Sequence, residues 1–347
     1  MITELARTDT PEALKEAAAR AAELLRAGEV VALPTETVYG LGADARNEAA
    51  LAKVFAAKER PHFDPLIVHL PSARMLPEVA EVPGEIAKEI ARLTETFWPG
   101  PLSILLPRRA DAIPDIATAG LPNVVVRVSE DPTFRRIAKA FGGPIAAPSA
   151  NRFGRISPTS AAAVEAELGG RIPLIVDGGA CSRGLESTII AVSPPPAPNK
   201  KPIITILRPG PVTRDELKKF GKVEDGRVHA GKPETPGQLP SHYAPRTPLR
   251  IVEDPAAFLP EPGKRYALLS FKGEDEAYLN LAAFDQVALL SPGAGKMPEA
   301  AIRFFFLLRQ LDECGADEIL AEPIPERGLG IAMMDRLRRA AAGSGSE

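Results

Sequence analysis

The sequence predicts an α/β protein: a twisted mixed sheet with helices, then a linker, then a small open parallel sheet of Rossmann-like type. Three observations carry this. Short apolar runs bounded by Pro, Gly or Asp outnumber the helical patterns and do not alternate strictly with them, which favours a mixed sheet over a regular doubly wound one. Across residues 221–247 periodicity gives way to glycine, proline and scattered charge. Beyond it, short strands alternate with helices again, the pattern of a parallel sheet. At about 150 residues per domain, the 347 residues make two domains, and the boundaries fall at 1–217 (catalytic-size domain), 218–247 (Pro/Gly-rich linker) and 248–347 (small domain).

The first helix is delimited by Thr10 as a cap, Pro11 at the first helical position and Gly28 as a stop. Strand-like runs follow at 30–33, 66–70, 102–106, 124–128, 144–147, 172–176, 188–192 and 203–207. Helical patterns cover 48–57, 85–97, 132–141 (cap Asp131) and 158–168 (cap Ser157), with a short one after Thr213. In the second half, strands are expected at 249–252, 266–271, 287–290 and 318–321, with helices over 299–314 and 331–342.

Composition narrows the function classes. With 42 Lys and Arg against 45 Asp and Glu, the chain is not a basic nucleic-acid scaffold. Its 36 prolines are about twice the ordinary usage of ~5%, so many loops should be stiff. Cys181, Cys314, His62, His69, His229 and His242 show no metal-ligand spacing, which excludes a structural zinc site or zinc hydrolase and fits a reducing compartment. Apolar stretches fall far short of the roughly 18 residues of a membrane span, and the N-terminus carries Glu4 and Asp9 with no hydrophobic region. A cytoplasmic protein without membrane contact is expected.

Four polar segments interrupt the apolar pattern beside strands. PTETVYGLG (34–42) sets two hydroxyls, a carboxylate and two glycines after the first strand, at the kind of edge where α/β sheets bind ligands; a plain turn capped by threonines would read the same way. KERPHFDPL (58–66) pairs Lys58 with Arg60, as a phosphate-neutralising site would, although cations at a helix C-terminus also suit its dipole. His69 follows in the next strand. SANRFGRISPT (149–159) offers hydroxyl, amide and backbone donors leading into a helix N-terminus, a natural anion site, with Ser157 equally suited to capping. Residues 177–188 again place small polar groups before a strand, and Arg208, Pro209 and Gly210 close the next one.

Taken in order with WPGPLSILL (98–106) and residues 124–127, these segments resemble the YrdC-like threonylcarbamoyl-AMP synthases across about the first 210 residues. The linker, with SHYAP (241–245), and the small second domain resemble the long two-domain form of that family. The resemblance implies a nucleotidyltransferase that condenses L-threonine, bicarbonate and ATP to L-threonylcarbamoyl-AMP with release of pyrophosphate. A downstream threonylcarbamoyl transferase complex would then modify the adenosine beside the anticodon of tRNA.

By motif position the resemblance makes Lys58 and Arg60 the catalytic cations. It gives Thr37, His69, Arg127, Ala147 and Ser187 to the L-threonine site, with Arg127 on the carboxylate and Ala147 acting through its backbone. Arg60, Asp64, Asn123, Ser149, Ser157, Arg208 and Tyr243 fall on the ATP side, Tyr243 reaching over the nucleotide from the linker. Asp64 stands where the family commonly has Asn, and Asn123 where Thr is common. An aspartate near a triphosphate is repulsive unless it meets magnesium or a sugar hydroxyl. No carboxylate cluster suggests a metal cage, so Mg²⁺ is expected to arrive with ATP.

Two other readings use the same residues. One is an RNA-binding or ribosome-maturation module in which Lys58, Arg60, Arg127, Arg152, Arg155 and Arg208 hold a nucleic-acid backbone. The other is a carbamoyltransferase or hydrolase-maturation component acting on carbamoyl-adenylate.

Overall fold

A computed structural model describes residues 1–226, 235–237, 239, 241–273, 283–293 and 295–344. The chain divides into two compact units. The first comprises Met1–Phe153, Pro158–Ser182 and Glu186–Gln238; the second comprises Gly154–Ser157, Arg183–Leu185 and Leu239–Glu347.

Among the described residues, the first unit carries eleven strands. They are β1 (Glu4–Arg7), β2 (Val31–Leu33), β3 (Gly40–Asp44), β4 (Ile67–His69), β5 (Leu102–Pro107), β6 (Asn123–Arg127), β7 (Ile145–Ala146), β8 (Leu174–Asp177), β9 (Thr188–Ser193), β10 (Ile203–Arg208) and β11 (Lys222–Asp225). Their order is β1-β8-β2-β3-β7-β4-β6-β5-β9-β10-β11, with parallel and antiparallel pairs mixed. A mixed twisted sheet was the expectation, and eight of these strands lie on the expected apolar runs.

Strands β1, β3 and β11 fall outside those runs. β3 reads as a glycine loop yet runs inside the sheet, where a Cβ on Gly42 would meet Leu33 at 2.8 Å and Ile145 at 3.0 Å. β11, from the stretch expected to be irregular linker, pairs in parallel with β10. The helix expected from residue 158 starts instead at Ala161, capped by Ser160 rather than Ser157. The carbonyls of Pro158 and Thr159 accept from Tyr39 N and Cys181 N, so they are not available to a helix.

The two faces of the sheet are filled differently. One face, with Val68, Val124, Val126, Ile104 and Ile190, packs into the main core with the helices Glu48–Lys58, Ala87–Phe97 and Ala161–Leu168. On the other face, helices Pro11–Arg26 and Pro132–Phe141 cover β2, β7 and β8 through Leu25, Phe134, Leu33, Ile145 and Val176. Further along that second face lies a small apolar floor of Ile67, Val125 and Ile189, with Leu105 and Leu207 against it. Because strand side chains alternate, His69, Asn123, Arg127 and Ser103 share the face of that floor.

The second unit holds a parallel sheet ordered β12-β15-β13-β14, formed by β12 (Leu249–Ile251), β13 (Tyr266–Ser270), β14 (Gln286–Leu289) and β15 (Glu318–Ala321). Helices Met297–Asp312 and Leu329–Gly343 accompany it. No helix among the described residues is long and apolar enough to cross a membrane.

Candidate active site

Arg127 ends β6 and is buried among three acceptors. Its Nη1 donates to Thr37 Oγ1 at 2.9 Å, Nη2 to Glu36 Oε1 at 2.5 Å and Nε to the Gly100 carbonyl at 3.2 Å. Thr37 is presented by a tight turn: Thr35 Oγ1 accepts from Thr37 N and Val38 N and donates to the Val38 carbonyl. Glu36 is buried, which raises its pKa, but Arg127 and Ser129 overcome this and hold the carboxyl below its usual range. His69 is the register partner of Arg127 on β4, with its ring 5.1 Å from that of Phe134. The sequence-predicted residues Thr37, His69 and Arg127 therefore stand together.

A second group lies where β9 begins and β10 ends. Ser187 Oγ is 2.8 Å from Ser103 Oγ on β5 and accepts from Arg208 Nη2 at 3.1 Å, while the Ser187 carbonyl accepts from Arg208 Nε and Nη2. Gly210 makes this possible: a Cβ there would lie 2.5 Å from Glu186 O and Thr188 N. Arg208 Nη1 also donates to the carbonyl of Pro236, at 3.4 Å, so described linker residues lie beside it.

The third group is cationic. Lys58, the last residue of its helix, donates to the carbonyls of Ser149, at 2.5 Å, and Asn151. Arg60 pairs with Asp64 at 2.9 Å and donates to the carbonyls of Asp64 and Pro65. Burial and the neighbouring Arg60 push the Lys58 ammonium well down. Burial pushes Asp64 up, against the pull of Arg60, Lys58 and Arg208. That mutual influence places Arg208 within the same field as Lys58 and Arg60.

The remaining expected residues are placed as follows. Asn123 opens β6 opposite Pro107, half-buried, on the same face as Arg127. Ala147 spends its N–H on the Ile67 carbonyl, which leaves its own carbonyl as the group it can offer. Ser149 is half-buried and forms a bridge with Gly40. Ser157 and Tyr243 belong to the second unit. There Ala244 N donates to the Gly154 carbonyl and Arg309 Nη2 to the Ile156 carbonyl, while the Tyr243 ring packs on His242 and Phe305 below the Arg336 guanidinium. His229 lies outside the described residues.

Glu36, Ser103 and Ser129 bond directly within this candidate site, and the sequence had not singled them out. Glu36 sat inside a recognised motif as an unassigned carboxylate; Ser103 and Ser129 carried no local signal.

Among the described residues no three His, Cys, Asp or Glu side chains stand together as a metal cage. The arrangement is instead one suited to anions: buried guanidinium and ammonium groups beside hydroxyls on a small apolar floor, where low polarity strengthens each charge.

Comparison with known proteins bears on that arrangement directly. The Sua5/YciO/YrdC family model, described as telomere recombination, matches residues 23–210, and the model of the threonylcarbamoyl-AMP synthase C-terminal domain matches residues 212–342. The chain belongs to this family. It is 38% identical over 340 residues to the threonylcarbamoyl-AMP synthase of Bacillus subtilis, covering 94% of this chain and 93% of that protein. It is likewise 38% identical over 338 residues to the Pyrococcus abyssi synthase, with 92% of each covered. A crystal structure of P. abyssi Sua5 complexed with L-threonine superposes with a TM-score of 0.82 at 33% identity and covers 100% of both chains. The mixed sheet followed by an all-parallel one is thus the two-domain form of the family.

Proposed function

We propose that this protein condenses L-threonine, bicarbonate and ATP to L-threonylcarbamoyl-AMP and pyrophosphate. It is an enzyme of the nucleotidyltransferase-like kind, in the transferase and tRNA-processing group. The observation that carries the specific reading is its end-to-end similarity to synthases of that name, one of them crystallised with L-threonine. The product would pass to a threonylcarbamoyl transferase complex acting on tRNA.

The chemistry fits the groups present. The threonine amine and bicarbonate give a carbamate with loss of water. A carbamate oxygen then attacks the α-phosphorus of ATP, and the bond from that phosphorus to the β-phosphate bridge breaks as pyrophosphate leaves. Both reactants are anionic, so the site must cancel repulsion and fix an in-line approach. Lys58, Arg60 and Arg208 supply the positive field on the ATP side, with Asp64, Asn123 and Ser149 as its further contacts. Arg127 takes the amino-acid carboxylate, with Thr37, His69, Ser187 and the Ala147 carbonyl around the rest of the molecule. Mg²⁺ would enter with the nucleotide and take most of its ligands from the phosphates.

Since Lys222–Asp225 is strand β11, the part of the linker beyond it is read as the cover that excludes water from a hydrolysable adenylate. The Pro236 carbonyl beside Arg208 supports this. The cations Lys58, Arg60, Arg127 and Arg208 are 1%, 7%, 3% and 5% exposed, which suits a small anion rather than a polymer backbone lying on a basic surface.

Pyrophosphate release tests the reading. It should require L-threonine and bicarbonate together; release from ATP without either one overturns it. Arg60→Ala should abolish release. Protease cleavage within residues 227–240 should slow when ATP and L-threonine are added, and an unchanged rate would remove the covering role.

A further inference from the structure

We infer that Glu36, held by Ser129, is a positioning residue for the carboxylate-binding Arg127, an inference that rests on the proposed threonine site. Arg127 has five N–H groups. Three are committed, to Gly100 O, Thr37 Oγ1 and Glu36 Oε1, which leaves one on each Nη. One donor from each Nη is what a bidentate carboxylate requires.

A guanidinium on a long side chain keeps such a fork aimed only if its other donors are pinned, and Glu36 pins the Nη2 end. Glu36 is pinned in turn. Its second oxygen accepts from Ser129 Oγ at 2.5 Å, and the same Ser129 oxygen accepts from Asp131 N at 3.2 Å. Asp131 caps helix Pro132–Phe141 through Phe134 N at 2.8 Å. A chain of hydrogen bonds thus runs from a helix N-terminus through Asp131, Ser129 and Glu36 to Arg127. All of these side chains except Asp131 are almost wholly buried. The ion pair also balances the guanidinium charge while the site is empty, removing the cost of an unpaired buried cation. Ser129 fixes the second Glu36 oxygen, so the carboxylate is held in place to brace Arg127 rather than free to move as substrate arrives.

Calorimetric titration with L-threonine, L-threoninamide and ATP tests this. L-threoninamide lacks the carboxylate, so it reports everything except the Arg127 fork. The native protein should prefer L-threonine strongly over the amide. Glu36→Gln should weaken L-threonine binding by about tenfold or more while leaving the amide and ATP within about twofold, so that the preference collapses. Ser129→Ala should lose part of the preference. Retained preference in Glu36→Gln overturns the inference, and so does tighter L-threonine binding, which would make Glu36 a competitor for Arg127. If Glu36→Gln no longer binds ATP, its fold is lost and Ser129→Ala decides on the same ratio: a partial loss upholds the inference, an undiminished ratio overturns it. A native protein that binds both ligands alike refutes the carboxylate role of Arg127 itself, and that result is separate from a native preference that survives in both variants.

Discussion

His69 and Arg127 are register partners at the ends of two adjacent parallel strands, β4 and β6. Burial first, and then the Arg127 charge, push the His69 imidazole down to about 3, with Glu36 pulling weakly the other way. His69 is therefore neutral at any pH near 7. Its Nδ1 is buried with no hydrogen-bond partner among the described residues. A neutral imidazole here can hold a substrate hydroxyl or amine, but it does not add to the cationic field.

That arrangement has a cost at low pH. The native-state value lies below the ordinary 6.5, so the unfolded chain takes up a proton that the native state refuses. Stability is then lost as pH falls from about 6.5 towards about 3, by up to about 1.4 kcal/mol per pH unit. His69→Gln removes this dependence. Urea unfolding should give a constant difference between native protein and variant above about pH 7, moving in favour of the variant as pH falls to about 4. Parallel curves would mean that His69 is not held neutral.

The candidate residues could be picked out in sequence because the charged ones sit in long ordered motifs beside apolar strands, and the structure brings Thr37, His69 and Arg127 together. What was not legible depends on distance along the chain. Glu36 meets Arg127 across 91 positions and Ser129 across 93, and Ser103 meets Ser187 across 84. A single glutamate or serine in such a segment has no local pattern that names its partner. The run VVV before Arg127 is apolar on both faces, so alternation alone could not say which face carries the site. The missed strands have physical reasons too. β1 and β11 are outer strands rich in charge, and β3 is glycine-rich because its neighbours leave no room for side chains.

Asp64 should be dispensable for folding. Its pKa is raised, because burial outweighs the attraction of Arg60, Lys58 and Arg208. A raised carboxyl favours the native state below its unfolded value of 3.8 and costs stability as pH rises through the native value. Asp64→Asn keeps the shape and removes that cost, so neutral-pH stability should be unchanged or higher. Removing a negative charge from beside three cations should also tighten ATP binding by about three- to tenfold, measured by titration. Weaker ATP binding would instead show that the carboxylate meets Mg²⁺ or a sugar hydroxyl.

Ser103→Ala isolates the hydroxyl that steadies Ser187. Ser103 is fully buried, and its hydroxyl stands 2.8 Å from that of Ser187. Losing it should cost about 1 kcal/mol in unfolding free energy. Ser187 keeps its bond from Arg208 but gains rotational freedom, so KM for L-threonine should rise a few-fold while KM for ATP stays put. Equal changes in both would point to a general loosening of β5.

Gly210 tests whether the separation between Arg208 and Ser187 is set by backbone contact. A Cβ at Gly210 would lie 2.5 Å from Glu186 O and Thr188 N and 2.8 Å from Ser187 C, all of them backbone atoms that no rotamer change can move aside. Gly210→Ala must therefore push the segment after β10 away from the segment before β9. The three hydrogen bonds from Arg208 to Ser187 span that gap, at 3.0–3.1 Å. We expect a destabilisation of about 2–3 kcal/mol and, on the proposed assignment of Ser187 to L-threonine and Arg208 to ATP, loss of binding of both. Gly84→Ala supplies the contrast: nothing lies within 4 Å of its Cβ and the site is exposed, so stability should change by less than about 0.5 kcal/mol. If Gly210→Ala were as mild as Gly84→Ala, the close approach would not be what holds Arg208 on Ser187.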